Sequence, residues 1–436
     1  MEPISILEYG RMNRAALGSR LVRELQRFDE HHAGISGQTI FDWGHLNDIR
    51  AKNIVGVLQI PGLIVEILPK IDGPNGDEQS AAAQQVKEKQ VRQNLLFMLS
   101  VSGHFSMFDR DLASQNVQNV PILEALIWAF VRRLLTELRR GQQHQYVGRE
   151  ENLTCVKGKI LLHKHSTLNA AHRHRMYVGY DEFENDTWLN RILKAACARL
   201  LSLTRFSRTQ QYLREALLEL ADVHQHMIEL HHFDHVHLDR NSERFRELLN
   251  FCRLLFDGAT PAAHQGNVPS FSLLFPMETV FEEFIGAILK RHAVDFGFKG
   301  SDVHLQARGR TRWLLTQGSG KDHFRLKPDV LMNGANENPA IIVDTKWKRL
   351  VSDLDDTKNG VSQSDIYQLY AYAHRFNCEK NVLLFPQVPG ATPRIYSLAG
   401  DISGKRLKIA YVDLNYDLRQ DRTRLIGNLR DALTFP

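Results

Sequence analysis

The chain has 436 residues, of which 43% are hydrophobic and 24% charged, with 28 Gly and 14 Pro. This length exceeds what one hydrophobic core usually serves, and the composition excludes a disordered, collagenous or coiled-coil chain. Lys and Arg number 55 against 50 Asp and Glu, a surplus that permits contact with a polyanion without indicating one. We therefore expect a globular protein of two or three domains whose function lies in local sites.

The four cysteines are far apart and include no closely spaced pair, so the sequence predicts neither a disulfide framework nor a zinc knuckle. The first ten residues lack the basic and apolar pattern of a signal peptide. The longest apolar stretch, around residues 122–131, is too short to span a bilayer. We expect a soluble, cytoplasmic protein that does not contact the membrane.

The N-terminal region, residues 1–110, is predicted to contain β-structure. The segment IVGVLQIPGLIVEILPKI at 54–71 consists of two β-branched runs separated by Pro61 and Gly62, which predicts a hairpin. Residues 71–85 are rich in Gly, Asn, Ser and Ala and predict an exposed loop. This region carries 12 basic and 13 acidic residues and is therefore nearly neutral.

The middle region, residues 111–260, is predicted to be mainly helical because apolar residues recur at spacings of three and four. The predicted helices of this region and of the segment before it cover 91–101, 122–138, 188–203, 212–220 and 245–256. Short strands are predicted near 145–147 and 156–162.

Two polar groups in the middle region have simple expected roles. The acidic group at 181–186 precedes a helix, for which Asn185 or Asp186 is the expected N-cap. Histidines at 163–174 and 224–237 lack Cys companions and a steady helical spacing. We therefore expect surface histidines there rather than a zinc site.

The C-terminal region, residues 261–436, is predicted to be an α/β domain. It follows a stretch rich in Gly and Pro at 257–270, the predicted domain boundary. Predicted helices at 277–291 and 365–376 are combined with strands at 303–307, 326–331, 340–344, 382–385 and 408–412. The expected fold class is thus an α+β multidomain chain, and this region carries 23 basic and 19 acidic residues.

The strongest chemical signal is KPDVLMNGANENPAIIVDTKWK at 327–348. Its Asn-Gly turn predicts a hairpin whose second strand places Asp344 and Lys346 on one face, with Asp329 at the same end. Two carboxylates and the backbone carbonyl of Thr345 offer the hard oxygen ligands that Mg²⁺ prefers, and Lys346 can orient a water or stabilise charge on a phosphate. These residues match the PD-(D/E)xK pattern of nucleases, and a solvated edge strand is the alternative.

Two flanking helices add to this signal. In the first, Glu282 lies at the border of the buried face, where it can reach a metal, whereas Glu283 is expected to face water. In the second, Gln368 and Tyr372 are four residues apart on one face and can hold the site or the substrate backbone. An amphipathic helix with core aromatics is the alternative for the second pair.

Taken together, these motifs resemble the McrC family, the nuclease subunits of McrBC modification-dependent restriction systems. The segments that carry the resemblance are VGVLQIPGLIVEILPKI, NLLFMLSV, NLTCVKGKI, YDEFENDTWLNRILK, FEEFI, KPDVLM, VDTKWK and YQLYAYA. The resemblance implies that Asp329 and Asp344 bind the metal and that Lys346 assists catalysis. It implies that Glu282, Gln368 and Tyr372 support the site.

The same resemblance implies a substrate and a partner. The expected activity is that of an endodeoxyribonuclease that cuts double-stranded DNA containing methylcytosine. The N-terminal region is expected to dock on a ring of McrB-type AAA+ GTPase subunits and to stimulate their hydrolysis. GSGKD at 318–322 lacks the first Gly and the final Ser or Thr of a P-loop, so no nucleotide is expected to bind this chain itself.

Two other functions fit the same residues. An autonomous PD-(D/E)xK nuclease of DNA repair would cut without a partner. A non-catalytic activator of an AAA+ NTPase would keep only a degenerate nuclease fold, and the presence of Asp329, Asp344 and Lys346 argues against it.

Overall fold

The computed structural model describes residues 3–71, 81–103, 120–172, 174–257, 271–318, 320–334, 338–348, 360–398 and 404–436. The chain forms two compact units, one made of Met1–Ile122 with Thr260–Pro436 and the other of Leu123–Ala259. Both ends of the chain thus belong to the first unit. The three predicted regions stay a prediction about domain roles, and residues 258–270 of the predicted boundary lie outside the described residues.

The N-terminal part of the first unit combines short strands with three helices. These are β1 Ile4–Leu7, β2 Arg11–Asn13, α1 Arg14–Leu17, α2 Ser19–Ser36, β3 Phe41–Asp42, β4 Asp48–Ala51, β5 Ile54–Ile60, β6 Leu63–Leu68 and α3 Ala81–Val101. Strands β5 and β6 form the predicted hairpin, where Gly62 takes a φ of 87° that suits glycine. The predicted loop is wrong for residues 81–85, which belong to α3, and residues 72–80 lie outside the described residues.

The middle of the chain is mainly helical, as predicted, with one additional strand. Its elements are α4 Ile122–Leu138, β7 Gln145–Leu153, β8 Lys159–Ile160, α5 Leu162–Leu168, β9 Met176–Glu184, α6 Trp188–Leu203, α7 Ser207–Glu219, 3-10 helices at Leu230–His235 and Glu243–Phe245, and α8 Arg246–Asp257. Strand β9 was not predicted, and it pairs with both β7 and β8.

The acidic group of the middle region serves strand pairing more than helix capping. Glu182 and Glu184 lie on β9 and form ion pairs with Arg149 of β7. The N-cap of α6 is Thr187, whose side chain accepts a hydrogen bond from the backbone of Asn190, so the prediction of residue 185 or 186 is wrong. Asp186 instead pairs with Arg191 (Oδ2–Nη2 distance 2.6 Å), and this contact lowers the pKa of the Asp186 carboxyl.

The second histidine tract is not wholly on the surface. His232 is 9% exposed and stacks on Trp188, with ring centroids 4.6 Å apart. Burial and the neighbouring histidines lower the pKa of His232. The expectation of surface histidines is therefore wrong at this position.

The C-terminal part contains the predicted α/β elements and several others. They are β10 Phe271–Pro276, α9 Met277–Arg291, 3-10 helices at Ala293–Phe296 and Gly300–Asp302, β11 Val303–Leu305, β12 Arg312–Thr316, β13 Asp322–Leu326, β14 Val330–Asn333, β15 Pro339–Thr345, α10 Gln363–Arg375, β16 Lys380–Pro386, β17 Arg394–Ser397, β18 Arg406–Val412 and α11 Arg422–Leu433. The single strand predicted at 326–331 is wrong, because β13 ends at Leu326 and β14 begins at Val330. Pro328, which lacks a backbone N–H, lies in the break.

Two sheets organise the described residues of the first unit. The larger has the order β11-β14-β15-β16-β18-β17, and its centre, β15-β16-β18, is parallel. The smaller has the order β1-β6-β5-β10, so the hairpin of the N-terminal part is extended by a strand from the C-terminal part. Ribbon β12-β13 forms a separate two-stranded sheet, and β2-β4-β3 forms another small one.

Separate hydrophobic clusters support the two larger sheets. The N-terminal cluster joins Leu25 and Phe28 of α2 to Leu58 and Val65 of the hairpin. A second cluster packs α10 against the large sheet through residues such as Leu369 and Tyr372. Among the described residues, no helix is long and apolar enough to cross a membrane.

Candidate active site

A buried carboxylate in the middle of the large sheet marks the candidate site. Strand β15 reads PAIIVDT and is buried along nearly its whole length, as is usual for a strand with neighbours on both sides in a partly parallel sheet. Asp344 on this strand is 0% exposed. An ionised carboxylate is rarely placed at such a position unless charge or hydrogen bonds compensate it. A purely structural role for Asp344 would therefore carry the free-energy cost of removing its carboxylate from water.

The neighbouring strand β14 brings a second carboxyl group to the site. It pairs antiparallel with β15 with Val330 opposite Val343, so Asp329, just before β14, lies beside the end of β15. The backbone N–H and the hydroxyl of Thr345 both donate to Asp329 Oδ2, each over 2.7 Å. The two aspartates are thus brought to one end of the hairpin, as the sequence predicts.

Lys346 lies between Asp344 and helix α10. Its Nζ is 2.7 Å from Asp344 Oδ2 and donates to Gln368 Oε1 over 3.1 Å. Gln368 Nε2 in turn donates to the Tyr372 hydroxyl over 2.8 Å. Tyr372 is 3% exposed and belongs to the hydrophobic cluster under the sheet. The four side chains form one chain of contacts anchored in the core.

Helix α9 brings Glu282 to the same edge of the sheet. Gly286, one turn further on, packs so closely that an added Cβ would lie 2.9 Å from the Leu305 side chain. Next to Leu305, Gln306 donates from Nε2 to Glu282 Oε1 over 3.1 Å and from its backbone N–H to the Asp329 carbonyl over 2.8 Å. Glu283 is half-buried, so the expectation that it faces water is wrong.

The three carboxyl groups of the site perturb one another. Burial, followed by the charges of Asp344 and Glu282, raises the pKa of Asp329 to about 8. Burial also raises the pKa values of Asp344 and Glu282. Burial opposes the charge of Lys346, but Asp344 and Asp329 raise its pKa above the usual lysine value, so it is an ammonium at neutral pH. The Lys346 ammonium thus faces three carboxyls.

The carboxyl groups of the site repel one another, and their oxygens are suited to bind a divalent cation. Asp344 Oδ1 is buried and accepts no hydrogen bond from the described residues, although Oδ2 lies beside Lys346. Two carboxylates and the Thr345 carbonyl are oxygen donors of the kind that Mg²⁺ binds, and a divalent charge would relieve the mutual repulsion. No three His, Cys, Asp or Glu side chains among the described residues are close enough to hold a metal by themselves. The role of Glu282 as a further ligand stays a prediction, and in the structure its Oε1 accepts a hydrogen bond from Gln306.

The raised pKa of Asp329 predicts a pH-dependent stability of the metal-free protein. The carboxyl has a pKa of about 8 in the folded chain against 3.8 for a free side chain. Between these values the unfolded chain ionises it and the folded chain does not, so stability falls as pH rises. In EDTA, the melting temperature of Asp329→Asn is expected to exceed that of the wild type by an increasing margin from pH 5 to pH 8.

Differential scanning fluorimetry across this pH range measures the effect. Asp222→Asn is the matched control, because Asp222 is exposed and lies in the other unit. Its melting temperature is expected to follow the wild type at every pH. A constant difference between Asp329→Asn and the wild type from pH 5 to pH 8 would show that Asp329 titrates normally.

Three contacts of the site were not predicted from the sequence. Gln306 has no motif around it. The sequence pattern indicates a role only for the Thr345 carbonyl, whereas the N–H and hydroxyl of Thr345 hold Asp329. Trp347 donates from Nε1 to buried Glu8 over 2.7 Å, which ties the end of β15 to the N-terminal segment. The sequence feature that could have indicated this last contact is the Trp directly after Lys346.

The chain is similar to known proteins over most of its length. The family model of the McrBC 5-methylcytosine restriction system component matches residues 49–386. A curated relative, the type IV methyl-directed restriction enzyme EcoKMcrBC of Escherichia coli strain K12, is 21% identical over 322 residues, covering 70% of this chain and 89% of the relative.

Two solved structures have a similar fold. One is a chain from the half-complex of a tetradecameric assembly of Thermococcus gammatolerans McrB AAA+ hexamers with bound McrC. It has a TM-score of 0.72 at 18% identity and covers 99% of both chains. The other is a chain of the Thermococcus gammatolerans McrBC complex, with a TM-score of 0.54 at 21% identity, covering 67% of this chain and 88% of that chain.

Proposed function

Since the chain belongs to the family of McrBC 5-methylcytosine restriction system components, we propose that it is the DNA-cleaving subunit of such a system. The proposed reaction is Mg²⁺-dependent hydrolysis of phosphodiester bonds in double-stranded DNA that contains methylcytosine. The observation that carries this proposal is the fully buried Asp344 carboxylate, which lies beside both Lys346 and the Asp329 hairpin end.

Each residue of the site has a separate role in the proposed reaction. Asp329, Asp344 and the Thr345 carbonyl would hold the metal, and Glu282 lies close enough to raise the pKa of Asp329. When bound, Mg²⁺ supplies Lewis-acid polarisation of the phosphate and offsets its charge beside the carboxylates. Thr345 fixes the orientation of Asp329 through two hydrogen bonds, so this ligand is positioned before substrate arrives.

Lys346 stabilises charge in this scheme. Its raised pKa keeps it protonated at neutral pH, so it acts as a cation and not as a general base in the metal-free state. Asp344 and Gln368 hold its ammonium in place, and Tyr372 holds Gln368. A fixed cation beside the phosphate favours the additional negative charge of the transition state.

We further propose that GTP hydrolysis belongs to a partner ring of McrB-type AAA+ subunits, which this chain stimulates. The structurally similar Thermococcus chain comes from an assembly of McrB AAA+ hexamers with bound McrC. In this chain Gly318, Gly320 and Lys321 lie between the antiparallel strands β12 and β13, and Asp322 begins β13, whereas a P-loop leads from a strand into a helix.

Reconstitution with the candidate GTPase tests the proposal. Methylated DNA is expected to be cut only when both proteins, GTP and Mg²⁺ are present, and unmethylated DNA and EDTA-treated samples are expected to stay intact. If this chain alone cuts DNA as fast as the reconstituted system, it is instead an autonomous nuclease. Stimulated GTP hydrolysis without any cutting would identify a non-catalytic activator.

A further inference from the structure

Ribbon β12-β13 is an exposed element that the proposed chemistry does not use. Within the described residues it pairs with no other strand. Leu315 is 55% exposed and Phe324 is 67% exposed. A two-stranded ribbon without cover is only marginally stable in water, and large apolar side chains on it indicate a surface that another molecule covers.

The ribbon and its flanks concentrate positive charge. Between residues 308 and 327 there are six basic residues and one acidic residue. The basic residues, all exposed, are Arg308, Arg310, Arg312, Lys321, Arg325 and Lys327. None of them is paired with a carboxylate of the described residues. The acidic residue, Asp322, accepts a hydrogen bond from Thr316 over 2.8 Å. This short segment therefore has the same net charge, +5, as the whole chain.

The chain segments that flank the ribbon on both sides contain residues of the candidate active site. Leu326, its last residue, is three positions before Asp329. On the other side, Gln306, which holds Glu282, lies two positions before Arg308. Helix α10, which carries Gln368, also holds the ribbon, because Arg375 Nε donates to the Trp313 carbonyl over 2.8 Å.

We propose that this ribbon is a DNA-positioning arm that binds the duplex beside the bond to be cut. The inference rests on the proposed function and identifies the part of the chain that holds the substrate. The major groove admits a two-stranded β-ribbon, and Arg and Lys along it contact phosphates. Phe324 has a φ of 61°, which is rare for an aromatic residue, and the strand pairing skips it between the pairs Trp313–Arg325 and Leu315–His323.

The charge of the ribbon favours DNA over a protein as the molecule that covers it. Interfaces between proteins are depleted of charged residues at their centres, whereas protein–DNA interfaces are strongly positive. The ribbon has six cations that pair with no carboxylate of the described residues, around a few apolar side chains. This composition matches a protein–DNA interface. Two of these cations, Arg310 and Arg312, line a cavity of about 210 Å³ at the base of the ribbon, where both can donate to a phosphate.

Removal of two ribbon charges tests the proposal directly. The double variant Arg312→Gln/Arg325→Gln is compared with the wild-type full chain for binding of a labelled 30-base-pair duplex in EDTA, by fluorescence anisotropy over a range of salt concentrations. Loss of two phosphate contacts is expected to weaken binding about tenfold and to reduce the slope of log affinity against log salt by about 1.8. The matched control, Arg20→Gln/Arg23→Gln, removes the same charge from exposed positions on α2 and is expected to bind like the wild type.

A second variant separates apolar contact from charge. Phe324→Ser is expected to weaken duplex binding several-fold while the salt slope stays at the wild-type value, since no phosphate contact is lost. Wild-type affinity and slope in both ribbon variants would overturn the proposal. Normal DNA binding with loss of assembly on the GTPase would also overturn it and would identify a protein-docking surface.

The reconstituted system distinguishes this failure from failure of the proposed function. If the wild type cuts methylated DNA and both ribbon variants cut at the same rate, only the arm is refuted. If the wild type itself never cuts, the nuclease proposal is refuted as well.

Discussion

Replacement of Asp344 by Asn is expected to lower the rate of DNA cleavage by at least about 1000-fold, because a metal ligand supplies several kcal/mol of transition-state stabilisation. The substitution keeps the shape of the side chain and removes its charge at a position that is 0% exposed. Lys346 also loses the carboxylate that lies 2.7 Å from its Nζ. Single-turnover cleavage of methylated DNA by the reconstituted complex measures the effect.

The same variant is expected to stimulate the partner GTPase like the wild type, because docking is proposed for the N-terminal region. A matched control is Asp413→Asn. Asp413 directly follows β18 of the same sheet and pairs with Arg424 over 2.7 Å, so its loss removes a carboxylate from the sheet without touching Lys346. Cleavage by Asp344→Asn within tenfold of the wild-type rate would rule out a metal-binding role for this residue.

The elements that sequence reasoning predicted well are those with strong local patterns. Helices α4, α6 and α9 begin and end where their apolar periodicity does. The hairpin of β5 and β6 follows from β-branched runs around Pro61 and Gly62, since these turn residues restrict the chain locally. In each of these cases neighbouring residues contain the whole signal.

The features that were missed depend on distant partners. Strand β10 completes the N-terminal sheet from more than two hundred residues away, and nothing in its own sequence indicates that partner. Strand β9 was hidden because its charged residues suggested a helix start, whereas cross-strand pairing with Arg149 satisfies them. Thr187 and Asp186 compete for the same capping role, and the ion pair with Arg191 occupies Asp186.

The site shows the same division between local and distant information. Spacing on one strand placed Asp344 beside Lys346, and hairpin pairing placed Asp329 at the same end. The contact of Lys346 with Gln368 joins a strand to a helix, and only the packing of α10 on the sheet makes it. Gln306 was missed because its role depends on the close approach of α9 at Gly286.

Replacement of Lys346 by Met is expected to lower cleavage by about 100-fold to 1000-fold while metal binding is retained. Met has a similar length and fills the space, but it leaves the phosphate without the fixed cation that favours the transition state. The affinity for Mg²⁺ is expected to equal or exceed that of the wild type, because a positive charge is removed beside Asp344 and Asp329. Isothermal titration with Mg²⁺ and single-turnover cleavage measure the two effects separately.

The neighbour that holds this lysine provides a graded comparison. Gln368→Ala leaves the ammonium in place but removes its 3.1 Å contact with Gln368 Oε1 and frees Tyr372, so a milder loss of about 10-fold to 100-fold is expected. The order of rates, wild type above Gln368→Ala above Lys346→Met, follows from direct action by Lys346 and positioning by Gln368. Loss of Mg²⁺ binding in Lys346→Met would instead show that the lysine acts by shaping the metal site. A rate of Gln368→Ala below that of Lys346→Met would place Gln368 on the substrate itself.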